Sequence, residues 1–205
     1  MAALQLLVDA GADLNKQAGR WAMFAGYTPL GAAVSNASLV TLKELAELNK
    51  AAVAEGWAKP IDQQARREIA LKMVELLIQA GADLNKLSPS RSPLNLAVHS
   101  GDYEVAQMLI KAGADPEGVC VSIASKLSHR EGRKFVEGFF CTALHEAAQT
   151  GRLEICQALV SAGADINRLD HEGKTAVELA MKNHHADVAV FLDNCAKKMK
   201  PKIST

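Results

Sequence analysis

Residues 142–165 read TALHEAAQTGRLEICQALVSAGAD, from Thr142 to Asp165. Thr142 before Ala143 is the residue type that caps a helix N-terminus with its side-chain oxygen. The small residues that follow predict a short helix that lets a neighbouring helix approach closely. Cys156, Leu159 and Val160 at helical spacing, then Ala162-Gly163-Ala164-Asp165, describe an amphipathic helix stopped by glycine, the residue that enters a left-handed cap without a Cβ penalty. The same tetrapeptide recurs at Ala10–Asp13, Ala80–Asp83 and Ala112–Asp115, after the apolar stretches LQLLVD, VELLIQ and AQMLIK. The opening segment recurs as TPLGAAVSN from Thr28, SPLNLAVHSG from Ser92 and TAVELAMKNH from Thr175.

These segments resemble the ankyrin repeat, whose T-P-L-H-x-A and G-A-D signals return at about 33 residues. Gly81 and Gly113 are 32 residues apart. The resemblance covers most of the chain. It implies an all-α solenoid of stacked helix–turn–helix units, each ending in a projecting finger and each held by its nearest neighbours.

The spacing is regular in two fingers and irregular in two. Asp165 to Thr175 is 10 residues and Asp83 to Ser92 is 9, against 15 from Asp13 to Thr28 and 27 from Asp115 to Thr142. Thr28 to Gly81 is 53 residues, where Ser92 to Gly113 and Thr142 to Gly163 are both 21. In the long interval Leu39, Leu42, Leu45, Leu48 and Val53 follow helical spacing, Pro60 marks a loop, and Asp62 is placed to cap a long helix reaching Ala80. We read a helix inserted near 38–55; a degenerate extra repeat is the rival reading, without T-P-L-H or G-A-D. In the longest finger Val119, Val121 and Ile123 alternate with smaller or polar residues, and Lys134 to Phe140 is also strand-compatible. A β-hairpin-like finger near 118–141 is expected.

The expected organisation is one domain over 1–195. It comprises the outer helix of a partial repeat (1–15), a repeat with the helical insertion (28–85) and a regular repeat (92–117). The extended finger (118–141), a second regular repeat (142–167) and a capping repeat (175–195) follow. Residues 196–205, with Lys197, Lys198, Lys200 and Lys202, read as a basic tail or linker, and the start inside an outer helix reads as the cut edge of a longer protein.

Composition narrows the function classes. The chain has 205 residues, 49% hydrophobic and 22% charged, enough for a packed core. Lys+Arg and Asp+Glu both number 23, so the electrostatic drive behind most nucleic-acid and anionic-membrane binding is missing. No apolar run reaches the ~18 residues of a membrane span. Cys120, Cys141, Cys156 and Cys195 lie far apart in a chain large enough to fold without disulfides, and a reducing cytoplasm is the expected location.

Candidate contact residues come from two sources. Seven of nine aromatics fall in the irregular parts, among them Trp21 and Phe24 in the first finger and Phe135 in the hairpin. Trp, Tyr and Phe anchor interfaces, although insertions also need aromatics to pack on the stack. The hairpin adds Arg130, Arg133 and Lys134, a basic tip suited to an acidic patch. The resemblance implies the rest: finger tips and inner-helix ends line the concave face of ankyrin stacks. Here those positions are Ser35, Asn36, Arg91, His99, Ser100, Gln149, Thr150, His171, Glu172, Lys174 and Lys182.

Chemistry finds little foothold. His145, three residues after Thr142, stands where the family's histidine ties neighbouring loops together, a structural role. Gly31, Asn95 and Glu178 at the matching places are expected to weaken that tie. Cys120, His129, Cys141 and His145 match no compact zinc spacing, and no P-loop, G-x-S-x-G, H-E-x-x-H or EF-hand motif occurs. The expected function is a non-enzymatic protein–protein interaction module, a monomer with a protein partner, no cofactor, no metal, and no nucleic-acid or membrane ligand. The alternative is the substrate-targeting portion of a larger enzyme. A further alternative is a secreted effector acting on host proteins in the host cytosol, since degenerate repeats with insertions also resemble ankyrin proteins delivered by intracellular bacteria.

Overall fold

The computed structural model describes residues 8–17, 27–37, 63–88, 91–121 and 140–199. Among the described residues eight helices and two short strands follow in chain order: α1 (Pro29–Ala37), α2 (Gln63–Gln79), α3 (Pro93–Ser100), α4 (Tyr103–Lys111), β1 (Val119–Val121), β2 (Phe140–Thr142), α5 (Ala143–Gln149), α6 (Leu153–Ser161), α7 (Ala176–Lys182) and α8 (Ala186–Met199). Odd and even helices pair as antiparallel hairpins. The odd helices also pack on one another in one row and the even helices in a second. This is the helical solenoid that the resemblance to ankyrin repeats implies. The helix expected near 38–55, most of the first finger and the far part of the expected hairpin lie outside the described residues.

Each inner helix starts at a hydroxyl cap. Thr28, Ser92, Thr142 and Thr175 accept from the backbone N–H three residues on, at 3.1, 3.2, 3.4 and 3.3 Å. Each outer helix ends as its Ala-Gly-Ala-Asp requires. Gly81, Gly113 and Gly163 take φ of 79°, 92° and 96°, and the alanine after each returns its N–H to Leu77, Leu109 or Leu159 at 3.0 Å. Together with the bond from each glycine N–H to Ile78, Ile110 or Val160, this satisfies carbonyls that the helix end would otherwise leave open. Between the rows Ala97, Ala147 and Ala180 are fully buried, so the helices meet almost at backbone distance, with Leu94, Leu109, Leu144, Leu159 and Leu192 filling the spaces around them.

A second set of bonds joins finger to finger. Two residues beyond each Asp, a side-chain oxygen accepts the backbone N–H of the next finger's Asp. Asn15 accepts from Asp83 (2.8 Å), Asn85 from Asp115 (2.9 Å) and Glu117 from Asp165 (2.8 Å).

β1 and β2 pair antiparallel, with Val119 opposite Thr142, Cys120 opposite Cys141 and Val121 opposite Phe140. The base of the long finger is therefore a strand pair, and it runs into the cap of α5. At the far end the basic segment expected to begin a tail at 196 is still helical through Met199. Lys197 is part of that helix and pairs with Asp193 one turn back, an i,i+4 arrangement that a free linker would not make.

Where α2 enters after the insertion, Arg67 acts as a clamp. Its guanidinium donates to the Ala37 carbonyl (2.8 Å), to both oxygens of Asp102 (2.8 and 3.1 Å) and to Glu104 (2.9 Å). Asp102 is 2% exposed and caps α4 by accepting from Val105 N–H. One side chain thus holds the end of α1, the start of α2 and the next outer helix together. Arg67→Ala leaves that carboxylate buried without its cation and should lower stability by about 2–3 kcal/mol in urea denaturation.

The turns between paired helices hold Gly101 and Gly151 at φ 70°. The guanidinium of Arg152 packs over Gly101, and the ring of His185 packs over Gly151. At the matching place in the last unit stands His184, with φ 63°. A side chain there strains the backbone. His184→Gly should therefore raise stability by about 1 kcal/mol, or about 2–4 °C in Tm, as calorimetry would show.

Candidate functional site

The residue after the short-helix histidine differs between units: Ala32, Leu96, Glu146 and Leu179. Glu146 therefore sets a carboxylate in a column otherwise apolar, and its side chain is 10% exposed. Its Oε1 accepts from His99 Nδ1 at 2.7 Å and lies 3.2 Å from the Arg91 guanidinium. Arg91 comes from the finger before α3, His99 from the last turn of α3, and Glu146 from the first turn of α5. Three separate elements thus converge on one oxygen. Glu146 Oε2 is buried and has no hydrogen-bond partner among the described residues. The sequence reading named Arg91 and His99 and missed the acid between them; the signal was that single acidic residue in an apolar column.

A second charged group lies on the last finger and α7. Lys174 Nζ donates to Glu172 Oε2 at 2.5 Å; Lys182 Nζ lies 3.9 Å from the same oxygen and His171 Nε2 3.9 Å from Oε1. The bond from Lys174, helped by Lys182, holds the Glu172 carboxyl below the usual carboxylate range, and Glu172 pushes the Lys174 amine up. These four expected residues form one cluster.

The remaining expected positions divide. Gln149 is exposed at the end of α5 and Ser35 is half-buried on α1. Ser100 donates its hydroxyl to Leu96 and Ala97 carbonyls (3.1 and 3.0 Å), and Thr150 donates to the Glu146 carbonyl (2.8 Å). Both hydroxyls close their own helix ends, so they offer a partner less than their positions suggested. Trp21, Phe24, Arg130, Arg133, Lys134, Phe135 and the side chain of Asn36 lie outside the described residues.

The column three residues after each cap holds the loops together, and here it is stronger than expected. His145 Nδ1 accepts from Thr142, at 3.3 Å from its N–H and 2.9 Å from its hydroxyl, while Nε2–H donates to the Arg168 and Lys174 carbonyls at 3.0 and 3.2 Å. Asn95 Nδ2 reaches the Gly118 carbonyl at 3.1 Å. At Gly31 the traffic runs the other way. Ser88, fully buried in the following finger, occupies the space a side chain would need, accepts from Thr28 N–H (3.0 Å) and shares a bond with its hydroxyl (2.9 Å). Glu178 instead turns back on Thr175 N–H at 2.8 Å.

Both ring nitrogens of His145 are thus engaged, and His129 lies outside the described residues. Cys156 is buried, and burial pushes its thiol up to about 12, which keeps it protonated and unreactive. On the last unit a cleft of about 400 Å³ is lined by Met181, His184, Ala186, Ala189, Val190 and Asp193. Met181 is 60% exposed there, while Val34, Val98 and Ala148 at the same place are covered by the following helix pair.

Family models for ankyrin repeats match residues 64–110 and 121–202. A relative of which the chain covers 81% is cyclin-dependent kinase 4 inhibitor B of Bos taurus, 31% identical over 60% of this chain. The chain belongs to the ankyrin-repeat family, whose repeats are protein–protein interaction modules. A transient receptor potential cation channel subfamily A member 1 homolog of Caenorhabditis elegans is 36% identical over 58% of this chain, and diacylglycerol kinase zeta of Rattus norvegicus 30% over 64%. The chain spans only 8% and 13% of those two proteins. Among the described residues no helix is long and apolar enough to cross a membrane.

Burial dominates the titration of His145 and lowers its pKa from the ordinary value. A lowered histidine pKa means that its contribution is complete above the unfolded value of about 6.5 and is lost as pH falls toward the folded value. Wild type should exceed His145→Gln by about 2 kcal/mol at pH 7.5. That difference should narrow at pH 5.5 in matched urea titrations.

Proposed function

We propose that the chain is a non-enzymatic binding module that receives a partner protein on the face formed by the inner-helix ends and finger tips. One observation carries this reading: Arg91 and His99 are drawn from different units onto the buried Glu146 carboxylate. The resulting polar centre is preorganised and flanked by the Lys174, Glu172 and Lys182 cluster. A rigid surface of this kind binds with little ordering cost. The charge that remains exposed is mainly basic, because Glu146 is buried while Arg91, Lys174 and Lys182 reach solvent, and this favours an acidic partner surface. Trp21, Phe24, Arg130, Arg133, Lys134 and Phe135 extend the same contact in this proposal, with Ser35, Asn36, Ser100, Gln149, Thr150 and His171 around its rim. We place the module, as a monomer, in the cytoplasm.

A second reading has this module select the target for catalysis elsewhere in a larger enzyme. The similarity to a small part of diacylglycerol kinase zeta supports it. The two readings share the binding step.

The test is capture on the immobilised chain from extract of the cells that make it, with His99→Ala/Lys182→Glu in parallel. Both substituted side chains are more than half exposed; loss of the His99 donor to Glu146 should cost about 1 kcal/mol, so circular dichroism first verifies that both proteins are fully folded under the capture conditions. A protein retained by the wild type and reduced about tenfold or more on the variant supports the face, since about 1.4 kcal/mol at an interface gives that ratio. Equal retention by both would refute it.

A further inference from the structure

The finger before α7 is fixed by its own turn. Asp170, 7% exposed, accepts the backbone N–H groups of Glu172 and Lys174 on one oxygen, at 2.8 and 2.9 Å. Its own N–H returns to the Lys174 carbonyl at 2.8 Å, which also takes the bond from His145. Gly173 stands between them at φ 74°, so the chain reverses and sets Glu172 beside Lys174. Lys182, the last residue of α7, reaches the same carboxylate. Two ammonium groups thus converge on one oxygen of Glu172, Lys174 at 2.5 Å and Lys182 at 3.9 Å, with His171 3.9 Å from the other oxygen. Glu172 and Lys182 are exposed and Lys174 half-buried, so an incoming group can reach all three. Exposed ion pairs of this kind contribute little to stability, and one carboxylate replaces another at small cost. The same finger exposes Leu169, a large apolar side chain.

We propose that Glu172 is a placeholder: in the free chain its carboxylate occupies the position between Lys174 and Lys182 that a carboxylate of the partner takes on binding. This rests on the reading of the face as a protein-binding surface. The partner group is an acidic segment of a protein that also carries an apolar residue to cover Leu169. On binding, Glu172 turns out to solvent and the lysines exchange one carboxylate for another. The exchange by itself gains little, so selectivity comes from the apolar contact made alongside it, and a bare anion competes poorly. A nucleic acid or an anionic membrane needs a larger excess of positive charge than a chain with 23 basic and 23 acidic residues offers.

The test follows backbone amide shifts of the full, nitrogen-15-labelled chain titrated with a synthetic peptide of alternating glutamate and leucine. Shifts should concentrate at residues 169–174 and 182. Glu172→Gln should bind the peptide about threefold more tightly than the wild type, because the competing carboxylate is gone. That advantage should shrink as salt is raised. Glu154→Gln makes the same charge change on the exposed side of α6 and should leave the affinity within about twofold. A peptide with glutamine in place of glutamate should bind neither protein. Equal affinities of wild type and Glu172→Gln, or an equal gain in Glu154→Gln, would overturn the proposal. So would inorganic phosphate moving the same amides as strongly as the peptide, or no shift in either protein up to about 2 mM peptide. The face itself is judged by the capture comparison with His99→Ala/Lys182→Glu, so the two readings fail separately.

Discussion

Everything in this chain depends on a hydrogen bond that no single unit can make for itself. The backbone N–H of Asp83 is satisfied by Asn15, that of Asp115 by Asn85, and that of Asp165 by Glu117. Each acceptor belongs to the preceding finger. A helix pair of this size buries too little apolar surface to stand alone, so its order comes from the neighbour on either side. The ladder fixes the spacing of the fingers, and finger spacing fixes which inner-helix ends lie together on the candidate binding face.

The histidine column shows how one physical requirement is met by different residues. Loop carbonyls and N–H groups beside each inner helix are buried and need partners. His145 meets that need with a full imidazole reaching two carbonyls, and Asn95 with one amide. Gly31 provides only space, and Ser88 comes in from the next finger to fill it. The glycine and the serine are a single device divided between two segments. Glu178, in the last described unit, bonds to its own cap, and the apolar surface around Met181 remains exposed beside it.

The same architecture shapes the electrostatics of the face. Burying Glu146 among apolar neighbours is unfavourable unless donors reach it, and the stacking delivers two from separate units. Glu172 lies in solvent and merely exchanges partners with the lysines around it, an arrangement that salt screens. The first group is part of the scaffold as well as the face; the second is surface charge that a partner can reorganise at little cost.

The units themselves were legible from residue types. Four Ala-Gly-Ala-Asp stops and four hydroxyl starts are local signals, since a cap needs only its own turn and a helix stop only its own glycine. They placed seven of the eight described helices, all but α8, which ends without such a stop, and residue alternation marked the strand-compatible base of the long finger. The convergence of His171, Glu172, Lys174 and Lys182 was legible too, because one finger and the helix it enters carry all four. Helix α8 continuing into the supposed tail was not, since lysines suit a helix end and a linker equally well. Glu146 as the centre of the face, Ser88 as the answer to Gly31, Arg67 as the clamp on Asp102 and the opposition of Cys120 to Cys141 were decided by tertiary structure alone. Each joins residues of separate elements, and such a meeting is set by how the rows stack and by strand register, long-range packing outcomes that no local run of residues encodes.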